Sequence, residues 1–212
     1  MQRHRQSVMI SRDKILLVNY DPDVIDVHTW SKLHGSACVN NMAVVLNELK
    51  STPVDRVDGY GQIPLWWSVE RDNYDMVKLL LDNGADVNKK DIQGVPPIHN
   101  VRNEKILKLL LNGNADIGMA DSRGNTLMHK LAEYPFLDDV TKINADMIPV
   151  VLNNIPEKEI NNFLNKKNNS GKTAYDVACN QYSRYATRQA FFKYYDEHNI
   201  SHSYCKKSGN DS

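Results

Sequence analysis

The chain has 212 residues, with 26 Lys and Arg against 26 Asp and Glu and 41% hydrophobic content, the profile of a folded globular protein with room for one domain or two small ones. Zero formal charge and a pI near 7.0 argue against a nucleic-acid or acidic-membrane partner held by a basic field. No segment approaches the length of an apolar membrane span.

The first stretch, "MQRHRQSVMISRDKILLVNYDPD", opens with basic residues, but its longest apolar run, Ile15 to Val18, is too short for the core of a signal peptide. The following "DKILLVNYDPDVIDVHTW" reads as a short strand or helix that covers the edge of what comes next, with a turn at Asp21 and Pro22. From Asp58 onward the chain repeats itself. With glycines in register, "DGYGQIPLWWSVERDNYDMVKLLLDNGADVNKK" aligns with "DIQGVPPIHNVRNEKILKLLLNGNADIGMA", then with "DSRGNTLMHKLAEY" and "NNSGKTAYDVACN". Gly61, Gly94, Gly124 and Gly171 share one position, at spacings of 33, 30 and 47. Periods of this size mark a stacked architecture. The upstream "SKLHGSACVNNMAVVLNELKSTPVDRVD" fits the same template in worn form. The predicted organisation is a nonrepeat cap at 1–30, units at about 31–57, 58–90, 91–120, 121–167 and 168–199, and a disordered tail at 200–212.

Local chemistry repeats with the glycines. Pro64 and Pro97 suit a first helical position, where no amide donor is needed, and Thr126 and Thr173 suit N-caps. In "DMVKLLLDNG" and "EKILKLLLNG", Met76, Val77, Leu79, Leu80 and Leu81, then Ile106, Leu107, Leu109, Leu110 and Leu111, are too apolar for a surface helix and predict burial between neighbouring units. Gly84 and Asn114 follow the leucines where a left-handed C-cap is expected.

The histidine just inside the first helix, the leucine run and "DNGADVN" together resemble the ankyrin repeat family, over about Ser31 to Asn199. The resemblance implies an all-α solenoid of about five helix-turn-helix units with short β-turn tips and degenerate first and last repeats. It also implies that His34, His99 and His129 tie neighbouring turns through backbone hydrogen bonds. Trp66 and Asp176 stand in that position in two units, which puts the network in doubt there.

Two units depart from the period. The third is three residues short, so its first helix or the turn after it must be trimmed. The fourth is 14 residues longer, through "YPFLDDVTKINAD" between its two helical parts and some of "NNIPEKEINNFLNKK" after the second. Such an insertion forms a loop on one face, either a binding loop, as Tyr134, Phe136 and Leu137 suggest, or a tolerated surface excursion. The last helix, "RYATRQAFFKYYDEH", is aromatic, and six of the ten tyrosines lie from Tyr175 onward. Phe191, Phe192, Tyr194 and Tyr195 either seal the end of the stack or form a partner surface, including one that pairs two copies of the chain.

Chemistry is hard to find. His34 and Cys38 share a helix face, but no third group or oxyanion donor joins them, and Cys38 reads as a core residue. Cys38, Cys179 and Cys205 match no metal-ligand spacing, and an odd count of scattered cysteines suggests a reducing, cytoplasmic compartment. There is no GxSxG, P-loop, HExxH or GxGxxG motif. No catalytic residue, cofactor or metal is therefore assigned.

What the resemblance implies instead is binding of a protein partner through turn tips and the concave face. The family's variable positions fall here on Tyr60, Gln62, Glu70, Arg71, Ile92, Gln93, Val95, Arg123, Asn125, Glu133, Tyr134 and Lys172, with Tyr60, Ile92 and Arg123 as the exposed anchors. Trp66 and Trp67 are expected to divide into one core and one edge residue. Asn88, after Asp86 and Val87, resembles the asparagine hydroxylated in some ankyrin loops. The leading functional expectation is a non-catalytic module that sequesters, scaffolds or inhibits a protein, similar to stand-alone ankyrin effectors of intracellular bacteria. The alternatives are an immunity or antitoxin protein, or an enzyme with its site in the nonrepeat segments.

Overall fold

The structure, a computed structural model, describes residues 30–133, 146–179 and 185–198. Every regular element among them is helical. In chain order they are α1 (Lys32–Cys38), α2 (Met42–Glu48), α3 (Pro64–Glu70), α4 (Tyr74–Asp82), a 3-10 turn (Pro97–Asn100), α5 (Glu104–Asn112), α6 (Leu127–Glu133), α7 (146–152), α8 (Glu157–Leu164), α9 (Ala174–Cys179) and α10 (Tyr185–Glu197).

Helix starts follow the caps written in the sequence. Proline occupies the first turn of α3 and of the 3-10 turn, where its missing N–H costs no bond. Asn41 accepts from the Val44 amide at 3.2 Å and caps α2, and Asn103 caps α5 by accepting from Lys105 at 2.8 Å. Gly84 (φ 83°) and Asn114 (φ 63°) follow α4 and α5 in the left-handed region, as expected of residues that tolerate it.

The short first helices stack in chain order: α1 on α3, α3 on the 3-10 turn, that turn on α6, and α6 on α9. The second helices form the other layer, with α4 against α5. Leu33, Leu65, Ile98 and Leu127 from the first layer are fully buried, as are Val45, Met76, Val77, Leu80, Ile106, Leu107 and Leu110 from the second. One continuous core therefore runs through the stack, and no unit could hide its apolar stripe alone.

The irregular units have physical reasons. Unit three, short of three residues, cannot complete an α-helical first element. Its Pro96-Pro97 start is followed by a single 3-10 turn, and Val101 is already extended at ψ 135°. Unit four gains α8, whose Ile160 and Leu164 are buried on the core. The rest of its insertion, including Tyr134, Phe136 and Leu137, lies outside the described residues.

At the C-terminal end the aromatic residues turn inward. Phe191, Tyr194 and Tyr195 are buried, and Tyr175 of α9 meets Phe191, Phe192 and Tyr195 edge-on at 6.1, 5.6 and 5.7 Å. Burial pushes the Tyr195 hydroxyl up to about 12. At the other end Val39, Met42 and Leu46 are exposed; of the segment expected to cover that edge, 1–30, residues 1–29 lie outside the described residues. Cys38 is a free, buried thiol, with burial raising its pKa despite Arg71 beside it. Cys179 is disulfide-bonded, and disulfides persist in oxidising surroundings. The thiols thus lend no support to the reducing compartment taken from the cysteine count.

Candidate recognition surface at the turn tips

Each turn is built by one side chain. Asp58, Asp91, Asp121 and Asn168 each accept two backbone N–H bonds through one Oδ1. Asp58 takes Tyr60 and Gln62, Asp91 takes Gln93 and Val95, Asp121 takes Arg123 and Asn125, and Asn168 takes Ser170 and Lys172, at 2.8–3.1 Å. Side chains of this length are turn-formers because they reach the backbone two residues on. The turn glycines all hold positive φ, and Gly124 (77°) is the tightest. A Cβ there would stand 2.8 Å from the Asn169 amide nitrogen.

Successive tips are then laced together. Ile92 N–H donates to Tyr60 C=O at 2.9 Å, Ser122 N–H to Gln93 C=O at 2.8 Å, and Asn169 N–H to Arg123 C=O at 2.9 Å. The irregular spacings of 30 and 47 residues are absorbed elsewhere, and the ladder keeps its register across them. The tips consequently form one rigid row.

Beneath them the histidines join turn to turn. His34 Nε2 lies 3.1 Å from Gln62 C=O and His129 Nε2 lies 3.0 Å from Lys172 C=O. A carbonyl only accepts, so Nε2 carries the proton in both, and Nδ1 receives the hydroxyl of Ser31 (2.8 Å) or Thr126 (2.9 Å). His99 departs from this rule. Its Nε2 contacts Met119 C=O at 3.1 Å, and Pro96 gives its Nδ1 no hydroxyl. Burial lowers all three histidines, His99 to about 4, so they are neutral at pH 7. Where Asp176 replaces histidine, its Oδ2 takes both the N–H and the hydroxyl of Thr173, which preserves the local cap. In the remaining unit Trp66 makes no such link, and Trp67 Nε1 donates to Asp58 Oδ2 at 3.0 Å instead. Of the two tryptophans, Trp66 packs against the core and Trp67 stays at the turn. Both are half-buried, and their rings meet edge-on at 5.2 Å.

The expected site residues fall into several groups. Tyr60 (43% exposed), Ile92 (70% exposed), Gln93, Arg123 and Lys172 are exposed on the tips. Gln62 and Val95 are half-buried beneath the row, and Gln62 Nε2 is 3.4 Å from Asp91 Oδ2. Glu70 is held by Arg102 at 2.8 Å and Arg71 lies beside Cys38, so both meet their own chain. Asn125 is not an exposed tip residue. It is 6% exposed, and its Oδ1 accepts from Asn168 Nδ2 at 2.9 Å, because the next turn folds over it. Glu133 is exposed, and Tyr134 lies outside the described residues. Asn88 is engaged on both sides: it donates to Asn114 C=O at 3.1 Å and accepts from Asp116 N–H at 2.8 Å.

Electrostatics also contribute, through an ion pair missed in the sequence. Lys130 Nζ reaches Asp121 Oδ2 at 2.9 Å, with the two side chains 13% and 2% exposed. Burial alone would raise the Asp121 carboxyl, but Lys130 and the turn amides hold it below its usual value. No spacing rule predicts this pair, which depends on how α6 sits behind its own turn.

Comparisons with known proteins agree with this geometry. The family model for ankyrin repeats, in three copies, matches residues 12–91. A protein of Acanthamoeba polyphaga mimivirus named for ankyrin repeats, L81, is 35% identical over 77 residues, which is 35% of this chain and 28% of that protein. A fowlpox virus (strain NVSL) protein also named for ankyrin repeats, FPV228, is 34% identical over 70 residues, 32% of this chain and 13% of that protein. The chain thus spans less than a third of the length of either relative. The matched segment covers α1 to α4, and the same turn, ladder and helix pairing continue beyond it through α9. Residues 12–91 thus match ankyrin repeats, and the described residues form an all-helical stack of that fold.

Proposed function

We propose that this protein is a non-catalytic binding module that sequesters, scaffolds or inhibits a protein partner through its turn tips and the concave floor below them. The observation that carries the reading is the laced row of tips with Tyr60, Ile92 and Arg123 exposed on it. A rigid row costs little ordering entropy on binding, and aromatic, aliphatic and guanidinium groups supply interface energy. Phe191, Tyr194 and Tyr195 of α10 are buried in the core, which favours a monomer over pairing through that helix. Both relatives are viral proteins, so a host-cell protein is the partner we propose, and an origin in an intracellular bacterium has no relative behind it. Among the described residues no helix is long and apolar enough to cross a membrane.

The test is capture from a eukaryotic cytosolic extract by wild type and by a Tyr60→Ala, Ile92→Ala, Arg123→Ala variant of equal thermal stability. A protein retained by wild type and lost by the variant supports the reading. Equal capture by both would move recognition off the tips.

A further inference from the structure

Charge is spread unevenly along the row of tips. The side chain that builds each of the first three turns is a carboxylate, that of Asp58, Asp91 or Asp121, whereas the last turn is built by the neutral Asn168 with the same two backbone bonds. Asp121 is itself paired with Lys130 at 2.9 Å. On these last two turns stand Arg123 and Lys172, both exposed. Their backbones are fixed: Asn169 N–H donates to the Arg123 carbonyl at 2.9 Å, and His129 Nε2 donates to the Lys172 carbonyl at 3.0 Å. Their charges are not. Among the described residues neither the guanidinium nor the ammonium has a hydrogen-bond or ion-pair partner.

Both residues line a cavity of about 370 Å³ between the two turns, along with Asn125, His129, Glu133 and Asn169. Glu133 is the one anion on that lining, and it stands 4.0 Å from Lys130. Arg123 also lines a second cavity, of about 360 Å³, with Tyr60, Trp66, Ile92 and Val95. The carboxylate on that second lining, Asp91, is occupied by the amides of Gln93 and Val95 at 2.8 and 2.9 Å. The row thus has an apolar end at Tyr60 and Ile92 and a cationic end at Arg123 and Lys172.

This distribution selects among ligands. A further cation is repelled by the two already there, and an apolar group laid over them strips their water without replacing it. A carboxylate is attracted by both, and a guanidinium can bind it through two parallel N–H bonds. Nucleic acid gains little here, because its binding draws on many Lys and Arg contacts to phosphate and the chain has no net charge.

We infer that the row of tips binds an acidic segment of the protein partner, with an Asp or Glu carboxylate seated in the cavity that Arg123 and Lys172 line and an apolar side chain resting on Tyr60 and Ile92. The assignment rests on the binding-module reading above and narrows it to a partner chemistry.

The experiment is a titration of the full, ¹⁵N-labelled chain at low salt with the peptide acetyl-Leu-Leu-Glu-Glu-amide, followed at the Arg123 side-chain N–H and at the amides of Lys172 and Ile92. The corresponding Gln-Gln peptide and inorganic phosphate serve as controls. The expected result is a saturable shift at all three positions with the Glu peptide, binding about tenfold weaker for the Gln peptide, and loss of that difference at high salt. Neither cationic side chain bonds its own chain, so Arg123→Gln and Lys172→Gln keep the fold, and each is expected to weaken the Glu peptide about threefold. Ile92→Ala weakens both peptides. Equal affinity for the two peptides, no shift from either, or wild-type affinity for the Glu peptide in the Arg123→Gln, Lys172→Gln double variant would each overturn the assignment. Equal shifts from inorganic phosphate would also overturn it, by making the cavity a general anion site. Tip-dependent capture of a partner alongside equal binding of the two peptides would overturn the acidic segment and leave the module; loss of both would end both readings.

Discussion

At the scale of single residues, the polar atoms do more to define this protein than the apolar ones. His34, His99 and His129 are buried and neutral, and each bonds a backbone carbonyl through Nε2. Burial lowers their folded-state pKa values below the ordinary 6.5, so the unfolded chain binds protons more readily than the folded one. Stability is therefore full above about pH 6.5 and falls as pH drops toward the folded value, about 4 for His99. Across that window His99 alone contributes a loss on the order of 3 kcal/mol. Urea unfolding at pH 7 and pH 5 should show a clear decrease, and His99→Asn should flatten the slope between them. A slope that is flat in wild type would contradict the neutral, buried assignment. The histidines were legible in the sequence as a repeat position. The bare Nδ1 of His99 was not, because it depends on a proline three residues earlier and on the 3-10 turn between them.

At the scale of elements, each helix is too short to stand alone, and its stability comes from the neighbour it covers. The last pair shows this most clearly. Phe191 is 1% exposed and packs against Tyr175, so α10 closes the stack by filling space over α9. Phe191→Ala should cost about 4 kcal/mol by the cavity it leaves, and hydrogen exchange should accelerate first in α9 and α10. Unchanged stability would mean that α10 is an appendage rather than a seal. The apolar periods of α4 and α5 and the cap residues were readable, since helix burial and capping are local rules. Asn125 shows what was not. Its position looks like an exposed tip, yet Asn168 of the following turn covers it from 43 residues away, and the long insertion hides that pairing from any fixed-period alignment. The ion pair of Lys130 with Asp121 eluded the sequence for a similar reason.

At the scale of the whole molecule, the turn tips stay regular while the units beneath them vary. The Asp-capped turns and the backbone ladder hold the exposed residues in register across units of unequal length. The irregularity accumulates instead in the 3-10 turn, in α8 and in the insertion. This arrangement lets the stack tolerate variation while keeping one continuous face, the one on which the proposed recognition rests. The measurement that tests this most directly is hydrogen exchange of the protein alone and with its captured partner. The account predicts slowed exchange at 58–62, 91–95 and 121–125, with α2, α4 and α5 unchanged. Protection confined to α2, α4 and α5, with the tips exchanging as before, would contradict it.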